Sequence, residues 1–132
     1  MTDTESAPRG QLAIRTVAMP ADTNPNGDIF GGWLLAQMDI AGGITAKQRA
    51  RGRVATVAVD AMTFKSPVKV GDVLCCYADI LKIGRTSMTI RIEAWVIRTP
   101  DHAGARVQVT EGVFTYVAID GVGKPRPVPP PT

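Results

Sequence analysis

One stretch of this chain, GGWLLAQMDIAGGITAKQRA over residues 31–50, reads as a long helix, while the other ordered segments alternate with the period of strands. The helix is apolar through Trp33, Leu34, Leu35, Ala36, Met38, Ile40 and Ala41, so it has to be covered on most sides. Strands are expected at 11–18, 54–64, 73–83, 86–99 and 106–119, the last four joined by short connections. One helix followed by a run of antiparallel strands gives an α+β fold, a curved sheet of about five strands wrapped around one central helix. The 86–99 segment alternates most cleanly: Met88, Ile90, Ile92, Ala94 and Val96 on one face, Thr89, Arg91, Glu93 and Trp95 on the other. In the first strand Leu12, Ile14 and Val17 are expected to point inward. In the second, Val57, Val59 and Ala61 alternate with Ala58, Asp60 and Met62. Gly112 is expected at a bulge or kink.

The helix carries two oddities. Gly42-Gly43 interrupt it at a cost of about 1 kcal/mol each relative to alanine. Either the helix ends there, or the glycines admit something packed tightly against it; one continuous helix with a stop at Gly52 is the expectation. The second oddity is Asp39, an acid inside the apolar run, where carboxylates are seldom found without a reason. Upstream lies a loop built of turn formers, Pro20, Asp22, Asn24, Pro25, Asn26 and Gly27. It leads through Gly31-Gly32, where the first helical N–H groups lack intrahelical partners. Such donors, with the helix dipole behind them, can hold a carbonyl oxygen that is gaining negative charge. Asp39 follows Gly32 by seven residues, two turns on and on nearly the same face. Loop amides, a helix N-terminus and one semi-buried carboxylate together suggest acyl chemistry. The alternative for Asp39 is an ion pair with a nearby arginine.

Length and composition narrow the classes. A chain of 132 residues, 45% hydrophobic, makes one domain with a sizeable core. Residues 1–10 read as a disordered leader, 11–120 as the domain, and 121–132 as a proline-rich tail that cannot continue a sheet. No apolar run is long enough for a transmembrane helix, and the polar N-terminus lacks a signal-peptide core, so a cytoplasmic protein is expected. Cys75 and Cys76 are adjacent and would point to opposite faces of a strand, which makes them poor disulfide partners. With one histidine they cannot form a zinc site, and no metal is expected. The net charge of +3 is mild and spread along the chain, and aromatics are only 5%, against the clustered basic patch of a nucleic-acid binder. By composition alone ordinary surface charge is the favoured reading of that excess, which also suits a small polyanionic ligand.

Four runs carry a resemblance: DTNPNGDIFGGWLLAQMD, RVATVAVDAMTF, VGDVLCCYADILKIGRTS and EGVFTYVAID. Together they closely resemble the bacterial YciA-type acyl-CoA thioesterases, the acyl-CoA hydrolase branch of the hotdog fold. The similarity spans roughly residues 12 to 120. It implies a hydrolase that splits acyl-CoA into a free acid and coenzyme A, with no metal or organic cofactor; coenzyme A enters as part of the substrate and leaves as product.

The resemblance also implies roles. Asp39 matches the family's acidic residue on the central helix, as general base toward water or as nucleophile toward the thioester. Asn24 matches the loop asparagine, whose amide would position the water or the thioester oxygen; otherwise it is a turn residue bonded to its own backbone. Gly31 and Gly32 would offer backbone amides to the thioester carbonyl. Thr56 and Val57 would line the acyl tunnel. Gly84, Arg85, Thr86 and Ser87 match a turn suited to the pantetheine arm and phosphates of coenzyme A; standing alone they are a generic hairpin turn. A rise of roughly 10 Å separates Gly32 from Asp39 along the helix, while a reacting carbon must lie about 3 Å from both its attacking group and its oxyanion donors. Two antiparallel helices across a twofold axis meet that condition, so a dimer with shared sites is expected, and a trimer of dimers on the family pattern. His102, in the loop PDHAGA, is the only histidine and is far from the motif, which argues against the histidine-dependent hotdog dehydratases. The rival from another class is a non-catalytic acyl-CoA-binding module, which would have no need of Asp39.

Overall fold

The computed structural model describes residues 7–98 and 106–132. The elements run β1 (Gln11–Val17), a short 3-10 turn (Pro20–Asp22), α1 (Gly31–Ala50), β2 (Val54–Phe64), β3 (Val73–Ile83), β4 (Ser87–Ile97) and β5 (Arg106–Ala118). The strands form one antiparallel sheet in the order β1-β3-β4-β5-β2. The first two strands in sequence therefore occupy opposite edges, and α1 carries the chain across the face between them. This is the α+β hotdog arrangement expected from the sequence.

The helix is continuous through Gly42-Gly43, and the reason is packing. Its buried residues are Leu34, Met38, Ala41, Gly42, Ala46 and Ala50, a stripe at helical spacing that faces the sheet. Large side chains fill the first half of the stripe and small ones the second, so the C-terminal half sits close to the strands. At Gly42 a Cβ would overlap the Tyr116 hydroxyl and ring. Against the stripe lie Met88, Ile90, Ile92, Ala94 and Val96 of β4, all fully buried, with Phe114 and Tyr116 of β5. The predicted inward face of β4 is thus the core face.

Three expectations need correction. Leu12 and Val17 are 45% exposed; a bulge between Leu12 and Ile14 resets the alternation of β1, and Ala13 and Ile14 are the residues packed on the core. On the outward face of β4, Glu93 and Trp95 are buried. Arg9 lies over them, its Nε 2.6 Å from Glu93 Oε2, so the anchored chain begins before residue 11. The helix stop is Arg51, in the left-handed region at φ 53, rather than Gly52. Gly52 instead makes room for Arg126, whose Nη2 donates to the Ala50 carbonyl at 2.9 Å.

That last contact belongs to the proline-rich tail, which folds back rather than trailing. The Val128 amide donates to the Arg85 carbonyl at 2.8 Å, Arg49 Nη1 donates to the Pro129 carbonyl at 2.6 Å, and Val128 packs on the core. His102 lies outside the described residues. Among the described residues no helix is long and apolar enough to cross a membrane.

Candidate active site

β2 sets the geometry, because it is an edge strand with two irregularities, at Thr56/Ala58 and Asp60/Thr63. Thr56 pairs with Tyr116, and Val57 is the extra residue of the first bulge. Ala58 then pairs with Thr115 and Val59 with Phe114. Tyr116 and Phe114 are inner-face residues, so the bulge returns Val59 to the inner face and throws Val57 outward, 57% exposed. The cavity wall expected from Thr56 and Val57 is therefore built from Thr56 and Val59. Farther along, Ala61 at φ 50 marks the second irregularity, a left-handed backbone that a residue with a Cβ seldom adopts.

Between this strand and α1 lies a cavity of about 290 Å³, lined by Gly32, Leu35, Ala36, Asp39, Thr56, Val59 and Phe114. Gly32, Leu35, Ala36 and Asp39 recur at helical spacing and form one face of the helix. Asp39 is the only ionisable group in the lining. Thr56 Oγ1 donates to its Oδ1 at 2.7 Å, and the Tyr116 hydroxyl lies 3.0 Å from the same oxygen and 2.9 Å from the Asp39 carbonyl. Among the described residues Asp39 has no ion-pair partner, so the alternative of an arginine-paired structural acid is not what the fold builds. Burial, then the charge of Asp39, pushes the Tyr116 phenol far above its ordinary value. Tyr116 is thus a neutral donor.

At the other end of the cavity the helix begins at Gly31 behind Phe30, with no side-chain cap. The first helical hydrogen bond runs from the Leu34 amide to the Phe30 carbonyl, 3.3 Å. The amides of Gly31, Gly32 and Trp33 precede that ladder and are free to bind an oxygen. Gly32 borders the cavity; Gly31 lies one residue outside its lining, where an added Cβ would meet the Phe64 ring in ordinary contact.

Asn24 neither lines the cavity nor is hydrogen-bonded to Asp39. Its Oδ1 accepts from the amides of Asn26 at 2.9 Å and Asp28 at 3.1 Å, and its own amide donates to the Asp28 carbonyl at 2.7 Å. It is the hub of the loop, as the turn reading anticipated, with Gly27 at φ +85 closing it. The amide nitrogen of its side chain makes no hydrogen bond among the described residues.

Gly84–Ser87 form the β3–β4 turn, closed by the Gly84 amide on the Ser87 carbonyl at 2.8 Å. Ser87 pairs with Val117, one row beyond the Met88–Tyr116–Thr56 row that holds Asp39. The turn therefore stands at the same end of the sheet as the carboxylate, two strands away, or roughly 10 Å. It does not line the cavity of its own chain. Thr86 and Arg85 carbonyls accept from Ala118 and Val128, which leaves the exposed Arg85 side chain unengaged among the described residues.

The sequence did not single out Tyr116, Val59 or Phe114. For Tyr116 a signal existed: glycine in mid-helix says that something crosses there, without naming what.

Comparison with known proteins follows this geometry. A family model for the thioesterase superfamily matches residues 26–101. The acyl-CoA thioester hydrolase YciA of Salmonella typhimurium is 58% identical over 130 residues, 98% of each chain. Among solved structures, the hexameric thioesterase y2039 of Yersinia pestis superposes with a TM-score of 0.89 at 60% identity, covering 95% of this chain and 100% of that one. An acyl-CoA hydrolase from Staphylococcus aureus, solved with butyryl coenzyme A and coenzyme A, gives 0.80 at 31% identity over 88% of this chain and 70% of that one. The chain belongs to the thioesterase superfamily and, within it, to the YciA-type acyl-CoA thioester hydrolases.

Proposed function

We propose that the protein hydrolyses acyl-CoA thioesters to a carboxylic acid and coenzyme A, with Asp39 as the reactive carboxylate. The observation that carries this is the state of Asp39: a carboxylate bordering an apolar cavity, held by hydroxyls and neutralised by no cation among the described residues. An acid that served only to bind or to fold would be matched with a cation or buried in a network. Membership of the acyl-CoA thioester hydrolases supports the same substrate.

Hydrolysis adds one water across the C–S bond. Asp39 either takes a proton from water as it attacks the carbonyl carbon, or attacks that carbon itself to give an anhydride that water opens. In both routes the carbonyl oxygen becomes an oxyanion, bound by amides at the start of a helix, and the tetrahedral intermediate collapses with expulsion of the coenzyme A thiolate. Single-turnover hydrolysis in ¹⁸O-water tests the anhydride route, because label enters Asp39 only when water opens an anhydride at the Asp39 carbonyl. The chemistry needs no metal or organic cofactor.

Gly32 and Asp39 border one cavity but stand two helical turns apart, so a complete site pairs the Asp39 of one subunit with the Gly32 amide of another. β2 offers the means. It is an eleven-residue edge strand exposing Val57, Val59 and Phe64, and long apolar edges are normally covered. Ile40 and Ile44, one turn apart on α1, are also exposed, at 52% and 37%. The protein is a dimer joined through this region, assembled into a hexamer as its Yersinia pestis relative is. In that assembly Asn24 and the Gly84–Ser87 turn, both outside the cavity of their own chain, reach the substrate bound at a neighbouring subunit: Asn24 the thioester, the turn the coenzyme A arm. The enzyme acts in the cytoplasm.

The test is free-thiol release from acyl-CoAs of increasing chain length, for wild type and Asp39→Asn. Release by wild type, lost in the variant while coenzyme A still binds, is the expected result. Binding without release across the panel would replace the enzyme with an acyl-CoA-binding module.

A further inference from the structure

Tyr116 is fully involved with Asp39, yet neither the strand pattern nor the family resemblance gave it a role. Its ring lies on the inner face of β5, 1% exposed, stacked on Phe114 with centroids 6.4 Å apart. From there the hydroxyl crosses the helix at Gly42 and ends between the Asp39 carbonyl, 2.9 Å away, and Asp39 Oδ1, 3.0 Å away. A phenol has one hydrogen to donate, so the two acceptors share it. Any side chain at position 42 would occupy this path. Thr56 reaches the same Oδ1 from the opposite strand, at 2.7 Å. No donor among the described residues is bonded to Oδ2.

We infer that Tyr116 is a positioning residue for the reaction: with Thr56 it pins Oδ1 of Asp39, so that Oδ2 alone is presented to water or to the thioester carbon. The physical need is clear. The terminal torsion of an aspartate is broad and nearly twofold, so an unrestrained carboxylate exchanges its oxygens and tilts freely. Two donors on one oxygen remove that freedom. The phenol also bonds the backbone carbonyl of the same residue, which ties the side chain to the helix. Neutral donors do this without cancelling the negative charge that the chemistry uses. Burial keeps the phenol protonated well past neutral pH, so the donor is present wherever Asp39 is ionised. Gly42 is the opening that lets the phenol through, which gives a mid-helix glycine a part in the site.

The inference rests on the reading of Asp39 as the reactive carboxylate, and the experiment separates the two. Steady-state kinetics and pH profiles are measured for wild type, Tyr116→Phe, Asp39→Asn and the double variant. Tyr116→Phe is expected to lower kcat roughly 10- to 100-fold through loss of alignment, with KM changed by no more than about twofold. The acid limb of its kcat/KM profile should move to higher pH, because an ionised carboxylate that loses a donor is more easily protonated. Asp39→Asn should be near inactive, and adding Tyr116→Phe should slow it no further. Full activity in Asp39→Asn would remove the premise. An inactive Asp39→Asn beside a Tyr116→Phe with wild-type kcat and acid limb would overturn the inference alone. So would an equal loss from Tyr116→Phe in both backgrounds, since the phenol would then act independently of Asp39. If Tyr116→Phe fails to fold, 3-fluorotyrosine at position 116 keeps the shape and strengthens the donor. Its acid limb should move to lower pH, and an unmoved limb in a folded protein counts against the inference.

Discussion

Two carboxylates occupy the two faces of the same sheet, and they are treated in opposite ways. Glu93, on the outer face of β4, is 1% exposed. Its Oε2 lies 2.6 Å from Arg9 Nε, and its Oε1 accepts from the Trp95 indole at 3.0 Å and from the Arg9 amide at 3.3 Å. A second cation, Arg91, stands 3.6 Å off. Glu111, its cross-strand partner, shares Arg9 at 3.3 Å, which offsets the repulsion of like charges placed opposite each other. Asp39, on the helix that covers the inner face, is only half-buried and among the described residues has hydroxyl partners alone. The cavity beside Glu93 is the larger, about 350 Å³ against about 290 Å³, so size does not mark the site. What differs is whether the charge has been matched. A buried acid with cations against one oxygen and N–H donors on the other is held for the fold, because removing the partners would strand a charge. An acid with one oxygen held by neutral groups and the other open keeps its charge available.

The largest expected effect tests that contrast directly. Asp39→Asn should lower thioester hydrolysis by about 1,000-fold or more, on the scale of losing a principal catalytic group, with the melting temperature nearly unchanged. The reverse pattern is expected on the other face. Glu93→Gln keeps the acceptor for Trp95 but loses the charge that holds Arg9. It should cost about 2 kcal/mol in urea unfolding, as for hydrogen bonds to a charged group, with kcat intact. A Glu93→Gln variant that melts normally but turns over slowly would erase the distinction between the two acids.

The sequence shows one half of this contrast better than the other. β2 and β3 fall at the bounds expected from alternation, and α1 at the bounds expected from its apolar run, because burial against one core imposes those periods directly. Asp39 stood out since an acid in such a run is unusual, and Thr56, expected as a wall residue, is found bordering the same cavity. Val57 was not, because a single bulge residue inverts every side chain after it and leaves no trace in an alternating pattern. Asn24 resembled a substrate ligand and is, within its own chain, a loop hub, since the same amide serves either use. The burial of Glu93 and Trp95 was not legible, because their cover, Arg9, comes from a segment with no periodicity at all. The docking of the tail was hidden for a related reason. Proline forbids regular pairing, but it does not forbid an arginine and a valine from docking where the fold ends.

A smaller effect sharpens the account of how Asp39 is held. Thr56→Val is close to isosteric and removes the shorter of the two bonds to Oδ1. A loss of about 10-fold in kcat is expected, corresponding to about 1.4 kcal/mol, the upper range for one hydrogen bond. Combined with Tyr116→Phe, the losses should not multiply, because either change alone already lets the carboxylate turn. Strictly multiplicative losses would mean that the two hydroxyls act on different atoms.

The smallest effect concerns a third acid, one with neither cations nor open solvent. Cys76 is fully buried in the core, and burial, followed by the neighbouring Cys75, pushes its thiol from 9.0 up to about 12. Unlike Glu93 it is not matched with a cation; unlike Asp39 it never carries its charge in the folded state at ordinary pH. The consequence for stability has a definite sign. Below pH 9 the thiol is protonated whether the chain is folded or not, and pH has no leverage through it. Above pH 9 the unfolded chain loses this proton while the folded chain keeps it, so unfolding becomes more favourable as pH rises. By pH 10 the cumulative loss from this one group reaches about 1.4 kcal/mol. Urea unfolding across pH 8 to 10 should show wild-type stability bending downward above pH 9, with part of that bend gone in Cys76→Ala. The constant offset from the smaller side chain does not affect the comparison, since only the slope is read. Parallel curves for the two proteins would mean that Cys76 ionises as readily inside the core as outside it, and that burial alone does not hold an unmatched acid neutral in this fold.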